Sequence, residues 1–547
     1  MEFNKAVIKN PIIPGFNPDP SICRVGEDYY IVCSSFELYP GLPIYHSRDL
    51  INWSHIGNAM NEENSFHIEY GSGMGGLMAP TIRYHDGKFY IINFNFQKNK
   101  NYIISADNAA GPWSFPIWLD DVPNIDASIF FDNDGAAYIV GTGNVWDNGK
   151  GSKERGIWIA RFDLKSFKLV GEKVTIFNSA FIGAKSPEAP HIYHIGDYYY
   201  LIIAEGGTGN NHSVVTARSH QIFGWYENNP ANPVLTHRNM GSVANIQNVG
   251  HADIIETPSG EWYAVMLASR TIDGPFKNLG RETFLCPVIW EDGWPFFSSV
   301  TGKLELYYEI NSPIDSQTEI IEESNNIINQ TMKNWIFLGT PYEKFYHIEE
   351  DSISLRCLQN NTLPEIVSPS FGNKKNKLKT IPFIGKRQQS ININAETLLS
   401  FIPKEKEAAG LILLQAMNHQ IRVEKTCLDS KQVIRVVKTS TLFNTPPHKP
   451  KFQYELVTEV LNSFEHDSPK TQIEISIVGQ CCSISFNDGL NCKKFLLEKY
   501  NLSEIIPTKI AGMAGTLIGI FATSNGYVSD NYANFKNFKI KDIGHVY

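Results

Sequence analysis

Nowhere in the 547 residues does an apolar run approach the ~18 residues a membrane helix needs, so a helical span is excluded. Cysteine is scarce. Its eight residues, with Cys481 and Cys482 adjacent, have neither the density of a disulfide scaffold nor the CxxC spacing of a zinc site. They read as reduced structural thiols. Positive charge is in deficit too: 48 Lys and Arg face 57 Asp and Glu, and the net charge of −9 argues against nucleic acid as a partner. The opening Met1-Glu-Phe-Asn-Lys-Ala-Val-Ile-Lys lacks the basic segment and apolar run of a secretory signal, so a cytoplasmic address is expected.

Aromatics, by contrast, are plentiful. The 32 Phe, 24 Tyr and 10 Trp exclude a disordered chain and supply core and stacking residues. Five segments share one pattern: an apolar strand, a turn with Gly, and a second strand with Tyr three residues after that Gly. They are Pro20–Tyr30, Ala79–Tyr90, Asp126–Tyr138, Glu188–Tyr200 and His251–Tyr263, anchored on Gly26, Gly87, Gly135, Gly196 and Gly260. Each reads as a β-hairpin, and further strands follow in several units. A repeat of this length holding several antiparallel strands predicts propeller blades, which bury their faces only against one another. After Gly302 the pattern stops. Residues 306–325 read as a linker, and 326–547 carry short alternating strands such as Gly410-Leu-Ile-Leu-Leu-Gln and Gln472-Ile-Glu-Ile-Ser-Ile. The expected fold is therefore all-β, a five-bladed propeller over 1–305 followed by a C-terminal β-sandwich of concanavalin type.

The innermost strand of each blade lines the axial channel, so equivalent strand starts should converge at one mouth. Counting back from each hairpin Gly puts Asp19, Pro80, Asp126, Glu188 and His251 at nearly one ring position. Three carboxylates crowded in a partly dry channel cannot all keep solution pKa values, and such a site sorts into one protonated acid and one ionised base. That division suits glycosidic bond hydrolysis. The bland alternative is that the three carboxylates are three turn caps.

At these residues the chain resembles glycoside hydrolase family 43, the β-xylosidase and α-L-arabinofuranosidase group. The resemblance rests on Asn10-Pro-Ile-Ile-Pro-Gly-Phe-Asn-Pro-Asp-Pro-Ser, Ser34-Ser-Phe-Glu-Leu-Tyr-Pro-Gly, Ala204-Glu-Gly-Gly-Thr-Gly, Gly250-His-Ala-Asp and Gly280-Arg-Glu-Thr, in family order. Asp530-Asn-Tyr-Ala-Asn-Phe-Lys-Asn-Phe resembles the appended sandwich. It implies Asp19 as general base, Glu188 as general acid and Asp126 as the carboxylate that raises and orients the acid. Inversion would set Asp19 and Glu188 roughly 6.5–9.5 Å apart, with water between. It further implies that Arg281 contacts sugar hydroxyls, that Phe36 walls the sugar pocket, and that His251 meets water or a central metal ion. No cofactor is required; a structural Ca2+ in the channel stays open. Two departures stand out: Met78 where relatives commonly have Trp, and Leu38 where they often have an aromatic. In the sandwich, Met513 replaces a Phe that relatives offer to the active site.

Other signals fail on context. Gly71-Ser-Gly-Met-Gly-Gly satisfies GxGxxG, but no helix follows it, so a loop over the channel mouth is expected. His191 and His194 face opposite ways on a strand. Asp132-Asn-Asp-Gly lacks the distal Glu of a calcium loop and reads as a hairpin turn. The expected activity is inverting exo-hydrolysis of terminal β-D-xylosyl or α-L-arabinofuranosyl residues, with a pentose-containing oligosaccharide as partner, no membrane or nucleic acid, and self-association left open. The rival from another class is a carbohydrate-binding propeller without catalysis, which has no need of the three carboxylates together.

Overall fold

The computed structural model describes residues 4–64, 66–71, 75–147, 150–181, 184–241, 244–298, 301–312, 335–360, 379–416, 418–443, 454–487, 492–505 and 514–544. Among the described residues there is no α-helix, only strands and one short 3₁₀ turn at Leu502–Glu504. The chain divides into two compact units. One comprises residues 1–66, 75–271 and 281–319; the other takes in 67–74, 272–280 and 320–547.

The first unit is the five-bladed propeller. Its sheets open with Ser21–Val25, Leu77–His85, Ser128–Phe131, Glu188–Ile195 and Ile246–Glu256, and each continues outward through antiparallel strands in chain order. These first strands neighbour one another around a closed ring, the last beside the first. The five anchoring glycines all have positive φ, from 59° to 83°, and a Cβ at any of them would meet open space. The turn conformation, not crowding, selects glycine there. Asp86 and Gly87 both lie at positive φ, as a two-residue type I′ turn requires.

Cores form between blades. Ile202 and Val214 of the fourth pack with Ile254, Met266 and Phe284 of the fifth, all nearly solvent-free. Each buried aliphatic side chain contributes ~1.5–3 kcal/mol relative to exposure, and no blade could collect that alone. Asn4–Lys9 pairs with Tyr307–Ser312 in a two-stranded sheet outside the blades, and it closes the ring by packing over the junction of the first and fifth. Buried Asn10 adds a two-way link to Leu285, donating to its carbonyl and accepting from its N–H. Residues 307–312, read from sequence as the start of the linker, are thus the closing strand of the propeller. Their alternating Tyr-Tyr-Glu-Ile carries a strand period that the polar residues after it disguise.

The second unit is a sandwich of a seven-stranded and a six-stranded sheet. Ile393–Ser400 alternates strictly between buried and half-buried positions, the mark of a one-sided strand. Ala408–Ala416 is buried almost throughout. The strands expected at Gly410 and Gln472 are both present. Residues 72–74 of the GxGxxG loop and Met513 lie outside the described residues.

Candidate active site

The true ring position emerges from strand pairing rather than from counting. Ser21, Thr81, Ser128, His191 and Asp253 are equivalent, each opposite an aliphatic residue of the second strand: Val32, Ile92, Val140, Ile202 and Val265. Two residues before them stand Asp19, Ala79, Asp126, Ala189 and His251. All five have positive φ (54°, 45°, 60°, 51° and 57°), a region that non-glycine residues seldom occupy. One backbone kink is thus repeated five times around the channel mouth. The ring members are therefore Ala79 and Ala189, not Pro80 and Glu188. Counting from the hairpin Gly is inexact because that Gly shifts within the turn: it is first at 26–27 and 196–197, second at 86–87, and fourth in the five-residue turns at 132–136 and 257–261. Glu188 occupies the preceding position, as Met78 does in the second blade; both are partly exposed. Strained, register-equivalent residues of this kind cluster at functional sites.

Asp19 is 4% exposed. Arg281 Nη1 donates to its Oδ1 at 3.1 Å, and the Ser34 hydroxyl donates to its Oδ2 at 2.6 Å. His251 Nδ1 stands 3.9 Å away. Burial works against the charge on Asp19, yet Arg281, then His251 and the Ser34 hydroxyl, outweigh it and hold the carboxyl below the usual range. Arg281 is itself buried. Its Nη1 also donates to Thr208 Oγ1 at 3.0 Å, within Ala204-Glu-Gly-Gly-Thr-Gly, and its guanidinium lies 5.2 Å from the Phe36 ring centroid. Among the described residues, Arg281 Nε and Nη2 have no partner. Two buried donors left open beside a carboxylate form a ready contact for hydroxyls of a bound ligand. The neighbours of Arg281 in Gly280-Arg-Glu-Thr fix its strand: Glu282 takes Arg270 on both oxygens, and the Thr283 hydroxyl donates to the Asn17 carbonyl.

The other two carboxylates behave oppositely. Burial, then the charges of Glu188 and Asp19, push Asp126 well above its ordinary range. Burial also raises Glu188, against Arg155 and the Ser186 hydroxyl. Asp126 and Glu188 titrate as one unit that holds a proton more tightly than a solution carboxyl. The third blade also positions Glu188. Asp126 accepts from the Ala189 N–H, Thr142 Oγ1 donates to the Pro187 carbonyl, and the Ser128 hydroxyl donates to that of Pro190.

Arg155, on the hairpin of the third blade, was not singled out from sequence; its Nη1 is 3.6 Å from Glu188 Oε1. It favours the ionised acid, so Arg155→Ala should move the alkaline limb of kcat/KM to higher pH. Because Arg155 is half exposed, raised salt should move the wild-type limb the same way. A pH–rate profile at two ionic strengths checks both, and an unmoved limb removes Arg155 from the site's electrostatics.

His212 is another residue that sequence reading missed. Its ring lies so close to Gly250 that a Cβ there would come within 2.5 Å of it. Burial holds its pKa down at about 4, so it is neutral, with Nδ1 on the Asn248 carbonyl at 2.9 Å. Gly250-His-Ala-Asp is thereby explained: the glycine admits His212, His251 faces Asp19, and Asp253 sits deeper in the channel. Phe36 is buried, with φ 52°, and supports Arg281. His194 turns to Asp132 while His191 turns into the channel, as strand alternation requires. The Asp132 turn closes as a hairpin, with the Gly135 N–H on the Asp132 carbonyl. Among the described residues no three His, Cys, Asp or Glu side chains are grouped to hold a metal.

Comparison with known proteins places this arrangement. Residues 8–295 match glycosyl hydrolases family 43, and 329–541 match the β-xylosidase C-terminal concanavalin A-like domain. A xylosidase/arabinosidase of Butyrivibrio fibrisolvens is 36% identical over 98% of this chain and 100% of its own. A non-reducing end α-L-arabinofuranosidase of Bacteroides ovatus is 35% identical over 97% and 94%. The crystal structure of a xylan β-1,4-xylosidase from Bacillus halodurans superposes with a TM-score of 0.82 at 28% identity, covering 98% of this chain and 100% of that one. With both domains matched and relatives spanning the whole chain, the protein belongs to glycosyl hydrolases family 43 and is an inverting exo-glycosidase of its xylosidase and arabinofuranosidase group.

Proposed function

We propose that the chain removes single β-D-xylosyl residues from the non-reducing ends of short xylo-oligosaccharides, with α-L-arabinofuranosyl residues as the alternative substrate. The feature that carries the chemistry is the split at one channel mouth: the Asp19 carboxyl is held below its ordinary range by Arg281, while burial raises Asp126 and Glu188, which share a proton. Asp19 takes a proton from a water as that water attacks the anomeric carbon. Glu188 gives its proton to the glycosidic oxygen as the C–O bond breaks, so the pentose leaves with inverted configuration. Asp126 shares that proton with Glu188 and holds the backbone behind Glu188 through the Ala189 N–H. Arg281 turns its two open donors to sugar hydroxyls while its third nitrogen fixes Asp19. Met78, one position before the ring as Glu188 is, borders the sugar and contributes to the choice of pentose. The steps need only water and these side chains. The reading includes the cytoplasmic address; the eight unbridged thiols, six of them buried, are in keeping with a reducing compartment.

The test compares an aryl β-xylopyranoside with an aryl α-L-arabinofuranoside on the intact chain, following the first-formed anomer by NMR. Turnover of the xyloside with α-xylose appearing first is expected. Turnover of the arabinofuranoside alone exchanges the substrate. Turnover of neither by folded protein returns the chain to the binding-propeller reading.

A further inference from the structure

Below the ring of Asp19 and His251, the channel contains a cation of the chain's own. Arg83, from the innermost strand of the second blade, directs its guanidinium to the axis. Its Nη1 has four oxygens around it: Ile82 O at 2.8 Å, Asp253 Oδ2 at 2.8 Å, Ser21 Oγ at 3.1 Å and Ile22 O at 3.3 Å. Its Nη2 donates to Asp253 Oδ1 and to His191 Nδ1, each at 3.1 Å. Asp253, fully buried, also accepts from the Ser21 hydroxyl, the Ile22 N–H and the Tyr193 hydroxyl. One guanidinium thus ties the first, second, fourth and fifth blades together.

Two backbone carbonyls, a hydroxyl and a carboxylate around one positive centre form the donor set of a hard-cation site such as calcium uses. Here that set is filled by nitrogen. A metal ion would have to displace Arg83, leaving a buried guanidinium unpaired, which is a costly exchange. A Ca2+ therefore does not fit at this level of the channel, below His251, the residue that the family resemblance sets against a metal ion. We propose that Arg83 is the structural cation of this propeller's channel, standing where a metal ion would otherwise hold the blades, and that removing it uncovers a divalent-cation site. The inference does not depend on which sugar the enzyme releases.

The experiment uses the full chain, with metal analysis and thermal unfolding in EDTA and in about 10 mM CaCl2. Wild type should carry no stoichiometric metal and unfold at the same temperature in both. Arg83→Ala should lose about 10 °C in EDTA, the scale expected for breaking a buried ion pair in a domain of this size. CaCl2 should return about 3 °C or more of that loss to the variant alone. Arg83→Lys, which keeps the charge, should recover stability without calcium. Tightly held Ca2+ in wild type, a wild-type midpoint lowered by EDTA, or an Arg83→Ala protein indifferent to calcium overturns the proposal. If Arg83→Ala yields no folded protein, wild-type metal content and Arg83→Lys decide. A lysine variant stable in EDTA supports the internal cation, and one that needs calcium refutes it.

Discussion

Glu188→Gln is expected to lower kcat on xylobiose by about 10³-fold or more while leaving sugar binding nearly unchanged. The glycosidic oxygen of xylobiose leaves as an alcohol only if it receives a proton as the bond breaks. Glutamine matches the carboxyl in shape but has no acidic proton to give. An aryl xyloside with a good leaving group bypasses that need, so its turnover should fall far less. The difference between the two substrates identifies the acid. In the same variant the alkaline limb of the pH profile should disappear, because the group that must stay protonated is gone. Wild-type turnover of xylobiose by Glu188→Gln would move the acid role elsewhere, with Asp126 as the first candidate, since burial and its neighbours raise it as well.

Asp19→Asn should abolish turnover on every substrate, by about 10³-fold or more, whatever the leaving group. An inverting enzyme has no covalent intermediate to fall back on, so water must be deprotonated in each turnover. Asparagine cannot accept that proton. The same change leaves Arg281 buried opposite a neutral amide, where truncation of one partner of a buried pair costs about 3–5 kcal/mol. Thermal unfolding must therefore accompany the kinetics. A folded variant that binds xylose but turns over neither substrate supports the base, whereas one that keeps activity on aryl xylosides excludes it. Set beside Glu188→Gln, the leaving-group dependence separates the two roles even though both variants are slow on xylobiose.

The residues most legible in sequence are those whose chemistry is repeated. Five Gly turns announced five hairpins, because positive φ at a tight turn leaves few alternatives to glycine. Asp19, Asp126 and Arg281 were likewise recognisable from motif and family likeness. The ring position was harder. Ala79 and Ala189 adopt the same left-handed kink as Asp19, Asp126 and His251, yet alanine carries no chemical flag and the hairpins differ in length. Glu188 was chosen as a ring member and stands one place off the ring. Arg83, His212 and Arg155 were missed for a shared reason: each matters through partners more than thirty residues away. His212 became visible only as the ring that crowds Gly250, and Arg83 only through Asp253, 170 positions later. The closing strand at 307–312 was missed because its partner is the N-terminal strand, and no local pattern names a partner so distant.

That closure sets an order in time. Arg281 meets Asp19 across 262 residues, and the first strand finds its mate only when residue 312 is available. On a ribosome adding about 5–20 residues per second, the opening strand and its catalytic aspartate therefore wait roughly 15–60 s for their partners. Individual blades can pair as they emerge, since their hairpins are local, but the channel mouth is the last part of the propeller to form. A nascent chain stalled before the fifth blade carries all three carboxylates and no active site.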